Sequence, residues 1–428
     1  MTSHAIAKPP RRGACPGLSA PMPTGDGLLV RLLPSGTIPL AALTALCAAA
    51  CAYGNGVIEI TSRGSIQVRG LNQSTAPQFG AAVAALDIAA QDGVAVHCNP
   101  LTGLDAEEIF DGRALAADLR RAIAQRSAAA KLSPKISVTI DGGGAIDLAT
   151  LAADIRLTAQ AVNGDMVLRV GAGGDAAHAA DLGAVVPEHG AEAVTRLLDV
   201  MAKRGRETRA RDIIAAEGAE VFRSALAGLL LARRDNPRKT SASEPIGLHR
   251  LRGGSLACGI GLAFGHAEAR CLEQLADAGV AAGAIGFRAA PGRALLTIGL
   301  TERSAHIFAA AADKLGFIVR ADDPRRHVVA CAGAPICASA HIASRALAPL
   351  IAEQAGRYLH DAVTIHISGC AKGCAQAAPA ALTVVGTPDG GALIADGSPR
   401  DEAYAVVPPH ELPAAIKSYL REHEAAHV

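Results

Sequence analysis

Four cysteines in one C-terminal stretch are the residues best placed to do chemistry. Cys331 and Cys337 form a C-x5-C pair, and Cys370 and Cys374 a C-x3-C pair. Thiolates are the usual ligands of iron–sulfur clusters, and a [4Fe–4S] cube takes four of them. The local sequence suits that use. Cys337 precedes an Ala- and Leu-rich segment, residues 338–354, which predicts a helix whose N-terminal amides would face an anionic cluster. Cys370 follows the apolar alternation of residues 363–368, a predicted strand. Gly369 and Gly373 let the backbone curl around an inorganic core. Two plainer readings compete. Cysteines often serve as small buried hydrophobes, and zinc also takes thiolates, though its common spacings within a pair are shorter than x5. Tight pairing, flanking glycines and placement at element ends favour the cluster.

A second set of candidates is basic. Residues 60–69 carry Arg63 and Arg69, and residues 285–293 carry Arg288 and Arg293. Set side by side, the two segments place Arg63 opposite Arg288, each with a second arginine on the following strand. Lys135 opens another alternating strand, residues 135–140, which ends in the turn Asp141-Gly-Gly-Gly144. Basic residues gathered on one cleft would clamp a ligand with several carboxylates through charge-assisted bonds. Taken singly, each is equally well an ordinary salt bridge.

The elements that must position these residues repeat along the chain. A strand (28–33), a helix (39–53) and two strands (57–61, 65–70) come first. After a polar linker at 233–244 a strand (246–251), a helix (266–278) and two strands (284–287, 294–300) follow. Between the copies lie strands at 94–102, 135–140, 154–156 and 167–170 and helices at 192–203 and 208–232. Leu115, Leu119 and Ile123 mark one face of a further helix there. The last module holds the four cysteines and ends in a charged helix, 409–424. The expected fold class is α+β, with two pseudo-symmetric half-repeats, each a ferredoxin-like half followed by a larger α/β module. The boundaries read as an irregular arm (1–24), half-domain 1 (25–90), module 1 (91–235), half-domain 2 (244–314) and module 2 (315–428).

Composition narrows the function classes. The 428 residues give ample core, but aromatics make up 3% and Trp is absent, so Ala, Leu, Ile and Val must fill it. A net charge of +1 provides no field for nucleic acid or an anionic membrane surface. Residues 38–57 carry no charge, but they are broken by Pro39 and by Gly54 to Gly56, and their clean part is shorter than the roughly 20 residues a bilayer needs. Arg11-Arg12 is followed by Gly-Ala-Cys-Pro-Gly and not by a hydrophobic signal core. Ten cysteines in so long a chain do not make a disulfide framework, so a reduced, cytoplasmic protein is expected. Cys15 is a candidate extra ligand or a structural residue. Cys47 and Cys51, four apart on an Ala-rich helix, read as core.

Together these features resemble the sulfite and nitrite reductase superfamily, and within it the branch that serves oxygen-dependent cobalamin synthesis. The resemblance runs along nearly the whole chain. It rests on residues 12–21, 25–31, 61–70, 100–105, the Lys135 strand with its Gly-rich turn, and His366-Ile-Ser-Gly-Cys-Ala-Lys-Gly-Cys374. The chain also departs from the sirohaem reductases. Val94-Ala95 stands where they carry an Arg-Asn pair, and Ser137 where they carry a second basic residue after the equivalent of Lys135. Two cations that would serve an oxyanion on haem are thus missing. The resemblance therefore implies an oxygenase acting on precorrin-3A, a carboxylate-rimmed tetrapyrrole, with O2 as co-substrate. It implies a [4Fe–4S] cluster on Cys331, Cys337, Cys370 and Cys374, with Cys374 a plain fourth ligand. It also implies a mononuclear non-haem iron and substrate contacts from Arg63, Arg69, Lys135, Arg288 and Arg293. NADH is the implied electron source. Gly171 to Gly174 lack the spacing of a dinucleotide fingerprint, so NADH is expected to act through a separate electron-donor protein. No iron ligands can be assigned; His97, His366 and Asp141 lie in or near matched segments, and a lone strand His is more often a core residue. A sirohaem-dependent reductase and a non-enzymatic iron–sulfur carrier are the alternatives.

Overall fold

The computed structural model describes residues 16–126, 131–232, 244–360, 363–376 and 378–426. Cys15 and nearly all of the 233–244 linker lie outside the described residues. The first half-domain comprises β1 (Met22–Thr24), β2 (Gly27–Leu32), α1 (Leu40–Tyr53), β3 (Val57–Ile60), β4 (Ile66–Leu71) and α2 (Thr75–Ala84). Module 1 follows with β5 (Ala95–Cys98), α3 (Arg113–Ala124), β6 (Ser137–Asp141), β7 (Ala153–Val162), β8 (Asp165–Gly174), β9 (Ala180–Val185), α4 (Gly190–Ala202), α5 (Ala210–Glu217) and α6 (Glu220–Ala225). The second half-domain has β10 (Gly247–Arg250), β11 (Leu256–Gly261), β12 (His266–Glu268), α7 (Ala269–Ala281), β13 (Gly286–Ala290), β14 (Ala294–Leu300) and α8 (Glu302–Lys314). Module 2 closes the chain with β15 (Val328–Ala330), α9 (Ser344–Ala355), β16 (Ile365–Ser368), β17 (Ala380–Thr387), β18 (Gly390–Gly397), β19 (Ala405–Val407) and α10 (Leu412–Ala426).

The duplication shows in the strand order. The module sheets run β5-β6-β7-β8-β9 and β15-β16-β17-β18-β19. In both, the first two pairings are parallel and the last two antiparallel. The half-domain sheets run β1-β2-β4-β3 and β10-β11-β14-β13, and β12 adds itself beside β3. Parallel strands covered on both faces lose the usual polar alternation, and every residue of β6 and of β16 is buried. Successive side chains still point to opposite faces. Ile365 and Ile367 of β16 enter module 2's own core, so His366 and Ser368 point the other way.

The half-domains do not have separate cores. Leu46, Ile58 and Phe79 from the first pack with Ile260, Leu275, Phe287 and Phe308 from the second in one cluster. Ile38 and Phe287 exchange backbone hydrogen bonds of 2.7 and 2.9 Å, which joins the halves further. The β3–β4 and β13–β14 turns meet, with Gly292 N donating to Ser62 O at 3.0 Å.

Several expected elements shift. The helix expected at 338–354 starts at Ser344, because the intervening amides serve long-range partners: Ala338 N donates to Gly25 O and His341 N to Gly369 O, both at 2.8 Å. His266–Glu268, expected in a helix, pairs instead with Val57–Glu59 as an edge strand. The helix expected at 208–232 is two short ones, broken at Gly218, whose φ of 80° a helix cannot continue. The expected alignment of Arg63 with Arg288 is also corrected. Arg63 lies in the turn between β3 and β4, whereas Arg288 lies inside β13 opposite Leu296, so Arg293 is the arginine of the second turn. Among the described residues no helix is long and apolar enough to cross a membrane.

Candidate functional site

The four cysteines sit in two loops at the C-terminal ends of neighbouring parallel strands. Cys331 directly follows β15, and Cys370 follows β16 after Gly369. Backbone bonds stitch the loops together: Gly369 N donates to Cys331 Sγ at 3.0 Å, and His341 N donates to Gly369 O. The Cys331 thiol donates to the hydroxyl oxygen of Ser344, which opens α9, at 3.6 Å. Cys331, and not Cys337, is therefore the cysteine at that helix's start. Burial raises the Cys370 thiol pKa, the Lys372 amide opposes this, and the neighbouring Cys331 and Cys337 thiols raise it further. Cys374 is exposed, within electrostatic reach of Arg69. The nine described cysteines form no disulfide.

The N-terminal hairpin covers this loop pair. A Cβ on Gly25 would fall 2.3 Å from Cys337 Sγ and 3.1 Å from Ser339 N, so the hairpin backbone lies directly on the thiol. The next residue, Asp26, accepts two 2.8 Å bonds from Arg69. Arg69 also lies 3.6 Å from Glu59, which pairs with Arg345 of α9 at 2.8 Å. A largely buried chain of alternating charge thus ties hairpin, half-domain 1 and module 2 together beside the cysteines. Burial pushes the Arg69 pKa down, but its bond to Asp26 and the charges of Glu59, Asp26 and Cys374 outweigh that and raise it. Replacing Arg69 with Met leaves Asp26 buried without its cation. The expected cost is about 3–5 kcal/mol of unfolding free energy, seen as a lower denaturant midpoint.

The donor set fits an iron–sulfur cluster. Four thiols lie on two loops already held together by backbone bonds, an amide bond to one sulfur is in place, and glycines stand where a side chain would collide. Among the described residues no three His, Cys, Asp or Glu side chains converge as a single metal ion requires. A cubane makes no such demand, since each thiolate binds a different iron. The mononuclear iron does make it, and it finds no ligand set among the described residues. Asp141 is held in place by Asn99 Nδ2 and the amides of Gly143 and Leu148.

The basic residues do not share one cleft. Arg63 and Arg288 line a small cavity of about 60 Å³ between the half-domains and module 1, together with Arg120, His97, Cys98, Asn99 and Gln91. Among the described residues no carboxylate lines it. Arg63 donates to Ser137 Oγ at 2.9 Å, so the serine in place of the expected reductase cation is an acceptor for an arginine. Arg288 donates to Thr37 Oγ1 and to the carbonyls of Pro100 and Thr102, which clamps half-domain 1, module 1 and β13 together. Burial and the Arg63, Arg31 and Arg120 charges push the His97 pKa down to about 3. Arg120 was missed from sequence, where it looks like the polar side of α3; its Nε is buried without a partner. Lys135 is exposed in the turn before β6, and Arg293 faces module 2. A much larger groove, about 1110 Å³, lies on module 1 among Met166, Leu182 and Leu230 and contains none of the expected site residues.

Residues 20–86 match the nitrite/sulfite reductase ferredoxin-like half domain, and residues 90–232 match the nitrite and sulphite reductase 4Fe-4S domain. A precorrin-3B synthase from Sinorhizobium sp. is 38% identical over 389 residues, covering 91% of this chain and 83% of that one. The chain belongs to the precorrin-3B synthase family. Its kinship with the reductases is more distant: a ferredoxin–nitrite reductase from Synechococcus elongatus is 26% identical over 83% of this chain and 75% of its own length. The Mycobacterium tuberculosis NirA protein superposes with a TM-score of 0.74 over 92% of this chain and 80% of that chain, at 19% identity, and shares the fold. The α+β superfamily architecture and an iron–sulfur cluster go with this membership. In this precorrin-3B synthase family member the matched 4Fe-4S segment is module 1, while the four clustered cysteines lie in its topological twin, module 2.

Proposed function

We propose that the chain is an oxidoreductase, a monooxygenase that converts precorrin-3A to precorrin-3B in cobalamin synthesis. In this reading one oxygen atom of O2 enters the ring carbon later lost in contraction, and a ring acetate closes a lactone. The second oxygen leaves as water with two electrons that come from NADH through a donor protein. The observation that carries the reading is the acid-free cavity of Arg63, Arg120 and Arg288 in a member of this family. Its volume is far below the ~300 Å³ lower end for whole-ligand pockets, so it suits one carboxylate arm of a larger substrate. There the arginines bind and orient, and the neutral His97 adds a hydrogen-bonding group without a competing charge.

Cys331, Cys337, Cys370 and Cys374 are the proposed ligands of the [4Fe–4S] cluster, which when bound supplies electrons one at a time. The mononuclear iron implied by the resemblance has no three-ligand set among the described residues, and no step of this reading runs through it. Thiolate ligation suits a reducing compartment, and we assign the protein to the cytoplasm. The deciding experiment is incubation of anaerobically purified protein with precorrin-3A, a reductant and 18O-labelled O2. Product without label would sink the monooxygenase reading, and sirohaem bands in the visible spectrum would favour a reductase instead. Arg120→Ala is expected to raise KM for precorrin-3A by about ten- to a hundredfold, the 1.4–3 kcal/mol scale of a lost charge-assisted bond. Its iron and sulfide content should be unchanged.

A further inference from the structure

Each half-domain carries a hairpin turn with an arginine, and the two turns touch. Arg63, on the first, donates to Ser137 at the start of β6. Arg293, on the second, does not line the Arg63 cavity; its charge acts on His366 of β16 in module 2. The two arginines thus serve opposite modules, as the internal duplication requires.

The second position has been shaped for its side chain. Arg293 adopts a φ of 64°, a left-handed conformation that a non-glycine residue seldom takes. Opposite it stands Gly265, where a Cβ would lie 2.9 Å from Arg293 Cδ and 3.3 Å from its Nε. Yet the guanidinium has neither a carboxylate nor a hydrogen-bond acceptor among the described residues, and burial alone pushes its pKa down, to about 10. At that value it remains charged at neutral pH. His366 is fully buried, and neither Nδ1 nor Nε2 has a partner among the described residues. Burial and the Arg293 charge push His366 down to about 4, so it is neutral at physiological pH and keeps one N–H donor. A half-buried cation without a counter-charge loses solvation, and an unmade hydrogen bond at the buried imidazole is costly.

We propose that Arg293 and His366 form an internal anion site, separate from the Arg63 cavity, that takes a small carboxylate-like oxyanion between guanidinium and imidazole. The test uses the cluster-loaded full chain without substrate, so its outcome does not depend on the precorrin reading. Sodium formate is titrated at constant ionic strength, balanced with bulky gluconate, while the thermal midpoint and cluster absorbance are followed. Binding to the native state adds RT ln(1 + [L]/Kd) of stability, so the midpoint rises with the logarithm of formate concentration once that exceeds Kd. Wild-type protein is expected to show that logarithmic rise, and Arg293→Gln to show none. Arg293→Lys, which keeps the charge but loses the fork, should respond with at least tenfold weaker apparent affinity. If Arg293→Gln fails to fold, His366→Gln carries the test with the same weakened response expected. No formate-dependent rise in the wild type, or a response undiminished in the variants, overturns the proposal.

Discussion

Gly25→Ala is expected to prevent the cysteine loops from holding their cluster while the rest of the fold forms. The new Cβ would lie 2.3 Å from Cys337 Sγ and 3.1 Å from Ser339 N, closer than packed atoms allow. The backbone cannot easily retreat, because Gly25 O accepts from Ala338 N and Asp26 is held twice by Arg69. The thiol must therefore move. Overpacking of this kind costs about 1–3 kcal/mol, roughly a five- to 150-fold loss in the cluster-binding equilibrium. Iron and sulfide per chain measure it directly. Gly17→Ala, where a Cβ would meet nothing within 4 Å, is the matched control and should load normally. Equal loading of the two variants would show that the hairpin does not brace Cys337.

Much of this arrangement was legible because it is local. The C-x5-C and C-x3-C pairs, their glycines, and the strand leading into Cys370 are read within about 45 residues. The strands of the two half-domains show their alternation for the same reason. What escaped the reading depends on distant partners. Arg69 looks like a substrate cation until Asp26, from the turn of the N-terminal hairpin, claims it in a buried pair. Residues 338–343 have helical composition, yet their amides bond to Gly25 and Gly369, and local propensity yields to those contacts. His266–Glu268 crosses to the other half-domain's sheet, an exchange that no periodicity announces. Arg120 sits at a helix position that pattern assigns to solvent, and only the approach of half-domains to module 1 turns it into a cavity wall. The duplication itself was visible, but its register was not, since hairpin turns of different length placed Arg63 and Arg288 in false alignment.

Cys370→Ser is expected to abolish both the cluster and turnover, and the contrast with Cys98→Ser makes the result informative. The matched 4Fe-4S segment, residues 90–232, contains one cysteine, Cys98, on β5. Burial pushes that thiol up to about 12, and its Sγ lies 4.0 Å from Gly112 O, the setting of a structural cysteine and not of a ligand. In the twin module, β16 delivers Cys370 into a loop whose amides and thiols already face one another. Serine at Cys370 keeps the shape but offers a hydroxyl that stays protonated where a thiolate is needed, so one iron loses its ligand. Visible absorption near the thiolate-to-iron bands should vanish in Cys370→Ser and persist in Cys98→Ser. If Cys98→Ser loses the cluster and Cys370→Ser keeps it, the ligands belong to module 1. The two copies of one sheet would then have exchanged the roles assigned to them here.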